Sequence, residues 1–272
     1  MSDATPATAA DITWFGMGAA YALLIISLVL LRATRVRMMR PLLVAMARMS
    51  LQLGLVGFYL TALFDLNDPL VNVAWVLVMC AAANYSLLRG SGLSLDLFFA
   101  TFPALLLAIG AVLAYLMALV LTPDPVLDAR YVIPVAGMLL GNSMNRSIIT
   151  LERFYSSIRE DETGFAAMIS VGATPREAMR PYLTTAYRAG LAPTLANTAN
   201  IGLVFLPGMM TGQILGGSSP IVAIEYQIVI ILGIFVATEI ASVLAIVLST
   251  FKGFDDLGFL RSEIFKDPGG GG

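Results

Sequence analysis

Residues Leu97–Leu121 read LFFATFPALLLAIGAVLAYLMALVL, twenty-five positions without one Asp, Glu, Lys or Arg. As an α-helix this stretch is about 38 Å long, enough to cross the roughly 30 Å hydrocarbon core of a bilayer. It shows no strict alternation and is too long for the roughly ten-residue strands of a membrane barrel. Six more stretches read the same way. Ile12–Leu31 and Leu70–Leu88 carry no charge, Leu42–Phe64 holds Arg48, and Tyr131–Ile149 holds Arg146 near its end. Leu191–Leu215 is uncharged, and Ile221–Phe251 holds Glu225 and Glu239. The expectation is an all-α integral membrane protein with seven spans in a single domain over residues 1–251, a cytoplasmic helical segment over 150–190 and a cytoplasmic tail over 252–272.

Composition agrees. Of 272 residues, 58% are hydrophobic and 12% charged, with a mean hydropathy of +0.84. An ordinary soluble domain carries about 25% charged residues. A soluble fold of this composition would expose large apolar patches, which excludes a soluble enzyme. One cysteine, Cys80, and no histidine remove an internal disulfide, thiolate metal clusters and histidine-based catalysis. The net charge of −2 gives no case for nucleic acid.

Basic residues set the orientation. Arg32, Arg35, Arg37, Arg40, Arg89, Arg153, Arg159, Arg176, Arg180, Arg188, Lys252, Arg261 and Lys266 fall on one side of a seven-span path. The other side shows Arg130 alone, with Asp3, Asp11, Asp65, Asp68, Asp124 and Asp128. The N-terminus is therefore expected outside and the C-terminus in the cytoplasm of a bacterial inner membrane. Met1–Asp11 lacks a basic n-region, so no secretory signal is read there. Gly269–Gly272 reads as a flexible tail or a cloning remnant. No G-x-x-x-x-G-K-[ST], Rossmann, H-E-x-x-H or EF-hand pattern occurs, so the chain is not expected to hydrolyse ATP by itself.

The segment Thr150–Gly190 carries the most information. Leu151, Phe154, Ile158, Phe165 and Ile169 recur at helical spacing, which predicts an amphipathic extension of span five, with a kink or turn at Glu160–Glu162. Next comes VGATPREAMRP, Val171–Pro181. Gly172 suits a helix C′ position, Thr174 an N-cap, Pro175 the first helical position and Glu177 the third, which makes a capping box. Pro181 is expected to bound a helix of one or two turns. By itself this is an ordinary connector or a docking helix for a partner.

These residues resemble a family. The short helix after Gly172, Ala173, Thr174 and Pro175 is similar to the coupling helix of ABC transporter permeases. Arg48–Gly57 (RMSLQLGLVG), Ile133–Met144 (IPVAGMLLGNSM), Ser170–Ala178 (SVGATPREA), Arg188–Gly217 (RAGLAPTLANTANIGLVFLPGMMTGQILGG) and Ser219–Ile228 (SPIVAIEYQI) resemble the iron-export permeases of the FetB family and their plant relatives in aluminium tolerance. The resemblance covers roughly residues 40–235. The loop glutamate of general permeases is absent, Ala166 falling near its place, which weakens the analogy to solute importers. The resemblance implies a homodimeric permease in a two-plus-two complex with separate P-loop ATPase subunits that bind ATP and Mg. It also implies a link to iron export or metal tolerance. Arg176, Glu177 and Arg180 would lie in the coupling element, the two arginines meeting acidic or polar groups on the ATPase.

Polar residues in apolar spans are costly and usually face a cavity or a partner. Arg48 and Gln52 share a face of span two, as snorkelling residues or pathway groups. Asn142 and Asn145 share a face of span five with Met138 one turn away; Asn197 and Asn200 share a face of span six. Amides act as interhelical glue or line a path. Glu239 needs a hydrogen bond or ion pair on another span, Arg48 being one candidate. Glu225, Tyr226 and Gln227 are read as an interfacial anchor or an outer gate. Pro134 and Pro207 are expected to kink their spans. Met209 and Met210 are gap-filling packing or ligands of a soft metal. No cofactor bound by the chain itself is expected, and metal ligands and substrate stay open. The alternatives are an ATP-independent transporter or channel and a non-transporting scaffold.

Overall fold

The computed structural model describes residues 12–204, 206–255 and 258–265; Asp3, Asp11, Lys266 and Gly269–Gly272 lie outside them. Among the described residues the chain is helical, with nine α-helices and only isolated bridges of extended backbone. Five helical segments are long and apolar enough to cross a membrane: Trp14–Ala33, Met39–Leu66, Pro69–Gly90, Leu95–Leu121 and Pro220–Gly253.

The chain divides into two compact units, the first holding the chain through Leu66 together with Gly212–Ser219. In it, α1 (Trp14–Ala33) starts where the Thr13 hydroxyl accepts from the Gly16 N–H. It is joined to α2 (Met39–Leu66) by a hydrogen bond between the Tyr21 and Ser50 hydroxyls. Neither helix buries a single residue. Helices this apolar and this uncovered call for an apolar surrounding, lipid or a partner subunit. Arg48 and Gln52 both lie on α2 and are exposed.

The second unit holds α3 (Pro69–Gly90), α4 (Phe98–Tyr115, continued by a π turn to Leu121), α5 (Ala129–Glu160), α6 (Glu162–Ser170), α7 (Pro175–Asn200) and α9 (Pro220–Gly253). Helix α8 (Gly208–Leu215) is shared, its residues through Thr211 belonging here. Asp68 caps α3 and Asp128 caps α5. Asn67 Oδ1 accepts from the Ala129 N–H at 2.9 Å, and Asn72 donates to the Leu127 carbonyl at 2.9 Å, which ties the starts of α3 and α5 together. The buried core forms two clusters. One gathers Leu87, Leu151, Phe154, Tyr155, Phe165, Tyr182 and Ile246; the other gathers Cys80, Ile109, Met117, Leu139, Ile230 and Ala237. Beyond α9 the chain folds back, with Ile264 buried and its carbonyl accepting from the Ser94 N–H at 2.7 Å.

Three expectations change here. The stretch Leu191–Leu215 is not one helix: α7 ends at Asn200, Gly202 takes φ +84°, and α8 starts only at Gly208. Pro207 therefore kinks no helix; its carbonyl accepts from the Thr211 N–H and opens α8. Pro134 does lie inside α5. Nor does Pro181 bound a short helix, because α7 runs on through Pro181 and Pro193 for 26 residues. The reason is packing: Ala178, Tyr182, Ala186 and Gly190 form a buried i, i+4 stripe, and neither proline lies on it. Each proline forfeits one backbone bond, while the stripe stays packed. The helical extension of span five is present as expected: α5 runs to Glu160 and α6 starts at Glu162, which leaves Arg146 in the middle of α5.

Candidate functional site

The polar residues of α5, α7 and α9 meet within the second unit. A hollow of about 360 Å³ is lined by Met138 and Asn142 from α5 and by Thr194, Asn197 and Thr198 from α7. Pro207, Gly208 and Met209, at the start of α8, and Gln227, Ile231, Ile234 and Phe235 from α9 complete it. The break between α7 and α8 exists because Gly202 and Pro207 interrupt the helical pattern, and it opens the backbone beside this hollow. Asn142 is held by its Nδ2 donating to the Met138 carbonyl at 2.8 Å. Its Oδ1 makes no hydrogen bond among the described residues.

Four sequence candidates, Met138, Asn142, Asn197 and Met209, thus line one hollow. Asn145 and Asn200 do not line it; Asn200 donates to the Ala196 carbonyl at 2.7 Å. Met210 is buried and does not line the hollow. Gln227, read as part of an outer anchor or gate, turns out to be a buried wall residue whose Oε1 has no hydrogen-bond partner among the described residues. The walls offer amides, hydroxyls and two thioethers. Among the described residues no group of three or more carboxylate, thiol or imidazole side chains could hold a metal ion.

One helical turn beyond the hollow, on both α5 and α9, lies an ion pair. Arg146 Nη1 stands 2.7 Å from Glu239 Oε1, and the arginine side chain is 2% exposed against 24% for the glutamate. The partner expected for Glu239 is therefore present, and it is Arg146. Thr238 Oγ1 lies 3.4 Å from the same Nη1, and the guanidinium stands 5.0 Å from the centroid of the Tyr187 ring. Arg146 Nε and Nη2, Ser143 Oγ and Ser147 Oγ are buried without a hydrogen-bond partner among the described residues. Gly190 lets α7 approach here: a Cβ on it would come within 2.2 Å of Thr150 Oγ1. Sequence reading missed Arg146 as a site residue because its span seemed to end there. Pairing the lone basic residue of span five with the lone deep carboxylate of span seven would have found it.

The corner between α6 and α7 is the third feature. Helix α6 ends in a Schellman arrangement: Gly172 has φ +98°, its N–H donates to the Ile169 carbonyl, and the Ala173 N–H donates to that of Met168. Helix α7 then starts with the full capping box. Thr174 Oγ1 accepts from the Glu177 N–H at 3.3 Å, and Glu177 Oε2 accepts from the Thr174 N–H at 2.8 Å and from its hydroxyl at 2.7 Å. Those donors hold the Glu177 carboxyl below the usual glutamate range. Tyr182 donates to Asp161 Oδ2 at 2.8 Å and braces the junction of α5 and α6; burial, and then the carboxylate, push its hydroxyl up to about 12. Arg176 and Arg180 are exposed on the first turns of α7.

A family model described as "Uncharacterised protein family (UPF0014)" matches residues 14–254. The "UPF0014 membrane protein YjkA" of Bacillus subtilis is 32% identical over 83% of this chain and 89% of its own length. The "Probable iron export permease protein FetB" of Escherichia coli is 28% identical over 89% of this chain and 92% of its own. The "Protein ALUMINUM SENSITIVE 3" of Arabidopsis thaliana is 27% identical over 91% and 90%. No solved structure matches.

Proposed function

The chain belongs to the UPF0014 family of membrane proteins, and on that premise we propose that it is the membrane-spanning permease subunit of an ABC exporter tied to iron or metal homeostasis. A separate P-loop ATPase subunit binds ATP and Mg and drives it. Two copies pair in the bacterial inner membrane on a seven-span path, with α5 and the broken α7–α8 pair completing the five apolar helices. The N-terminus lies outside and the C-terminus in the cytoplasm. The chain itself performs no catalysis.

The observation that carries this reading is the corner from Val171 to Arg180. A helix end closed by Gly172 and a helix start closed by Thr174 and Glu177 leave little slack between α6 and α7. The same α7 runs unbroken from that corner to Asn197 at the hollow. A push on the corner therefore moves the hollow's wall as a rigid rod, whereas a loose loop would absorb it. The amide, hydroxyl and thioether walls suit a metal cargo whose charge is already compensated by a chelator.

The test is purification of the tagged chain from its native membrane in mild detergent, with mass analysis of what stays bound. The expected result is a roughly equimolar P-loop ATPase, lost or uncoupled when Gly172 and Pro175 are both replaced while the helical content stays unchanged. A chain that purifies alone and moves solute in liposomes without ATP would replace this reading with a secondary transporter.

A further inference from the structure

At the cytoplasmic end of the second unit, a cleft of about 250 Å³ opens between the first turns of α7 and the last turns of α9. Its walls are apolar, with Leu183, Ile246, Val247 and Phe251 among them, and Arg176 and Arg180 stand at the same cleft. The two arginines are four residues apart on α7 and so lie about 6 Å apart on one face. Among the described residues neither guanidinium makes an ion pair. The adjacent acid, Glu177, does not compensate them, because its carboxylate is committed to the Thr174 cap.

Val247 and Phe251 belong to a second pattern as well. With Val243 and Val236 they form an exposed apolar stripe along α9 that ends where Lys252 begins the charged tail. In a membrane span such a stripe faces acyl chains, and its cytoplasmic end marks the level of the headgroups. The cleft is therefore continuous with the lipid-facing surface. Its two arginines, without an ion pair among the described residues, stand beside the charged end of that stripe.

We infer that this cleft holds an anionic phospholipid of the cytoplasmic leaflet. One acyl chain lies against Leu183, Ile246 and Val247, and the phosphate sits between Arg176 and Arg180. Basic pockets between helices on this side of a membrane suit such headgroups. The bound lipid joins the start of α7 to the end of α9 without covalent linkage. The inference uses the two arginines that the coupling reading turns toward the ATPase, so its test is made on the chain alone, where that partner is absent.

The experiment uses the purified full chain without any ATPase, in mixed micelles containing phosphatidylglycerol or phosphatidylcholine. Thermal stability and lipid retention are read by unfolding curves and native mass spectrometry. Phosphatidylglycerol is expected to be retained and to stabilise, and phosphatidylcholine or inorganic phosphate at equal concentration is not. Replacing Arg176 and Arg180 together with Gln weakens the phosphatidylglycerol effect about thirtyfold, each basic residue contributing about fivefold at an anionic surface. Both side chains are exposed, so the variant folds; circular dichroism checks it. A control with Arg153 and Arg188 replaced by Gln removes the same charge elsewhere and keeps the effect. Equal loss in the control overturns the inference, as does an unchanged phosphatidylglycerol effect in the Arg176/Arg180 variant. So does inorganic phosphate alone reproducing the stabilisation.

Discussion

Replacing Glu239 with Gln keeps the size and an oxygen acceptor but removes the charge opposite Arg146. The guanidinium is 2% exposed and its Nη1 lies 2.7 Å from the carboxylate. Its Nε and Nη2 have no other partner among the described residues, and Thr238 at 3.4 Å is a weak acceptor. The variant therefore leaves a buried cation uncompensated, a loss of about 3–5 kcal/mol when one member of a buried pair is removed. Two features move the expectation to the lower end. Glu239 is a quarter exposed, and the Tyr187 ring, 5.0 Å from the guanidinium, keeps some attraction for the cation. A loss of about 3 kcal/mol corresponds to a fall in Tm of roughly 6–12 °C in a chain of this size. The double variant Arg146→Met with Glu239→Gln removes both charges and their desolvation cost, so it should recover to within about 1 kcal/mol of the parent. Thermal unfolding of the three purified proteins in one detergent decides the matter. A Glu239→Gln protein as stable as the parent, or a double variant no better than that single, would falsify the claim that Glu239 compensates Arg146.

Gly190→Ala places a methyl group where Thr150 Oγ1 stands, with the Arg146 backbone oxygen 3.4 Å away. It should cost about 1–3 kcal/mol by forcing α7 off α5, and adding Thr150→Ala should restore much of the loss in the same unfolding assay. Thr174→Ala should cost the start of α7 about 1 kcal/mol, read as faster amide exchange in its first turn with α5 unaffected. Because the folded state depresses the Glu177 pKa, the cap's contribution is present above the ordinary glutamate value near pH 4.3 and is lost as pH falls through the lower folded value. Exchange at Glu177, corrected for intrinsic rates, should rise at that acid end; a rise only above neutrality would contradict the cap. Tyr182→Phe removes the hydrogen bond to Asp161 and should loosen the α5–α6 junction by about 1 kcal/mol, with proteolysis near Asp161 as the readout.

The helices and caps were readable because both are local signals. Twenty-five uncharged residues from Leu97 to Leu121 admit one solvent, and Thr174, Pro175 and Glu177 admit one cap geometry. The path of α7 was not readable, since Pro181 is a breaker only when nothing else holds the helix. Ala178, Tyr182, Ala186 and Gly190 hold it, and their partners come from other helices and turns, Thr150 against Gly190, and Asp161 and Phe165 against Tyr182. The hollow was half legible for the same reason. Met138 and Asn142 could be placed on one helix face, but the break that sets Met209 on α8 apart from Asn197 on α7, and the place of Gln227 in the same wall, are tertiary facts. The ion pair shows what a better reading would require. Counting charges span by span treated Arg146 as an interfacial end and Glu239 as a residue in search of a partner. Each charge is costly in hydrocarbon alone, so charges of opposite sign on different spans should be paired first and the helix boundaries drawn afterwards. That order places Arg146 with Glu239 at mid-helix. It also puts Arg146 of α5 and Glu239 of α9 against each other, leaving the hollow one turn away lined by uncharged groups.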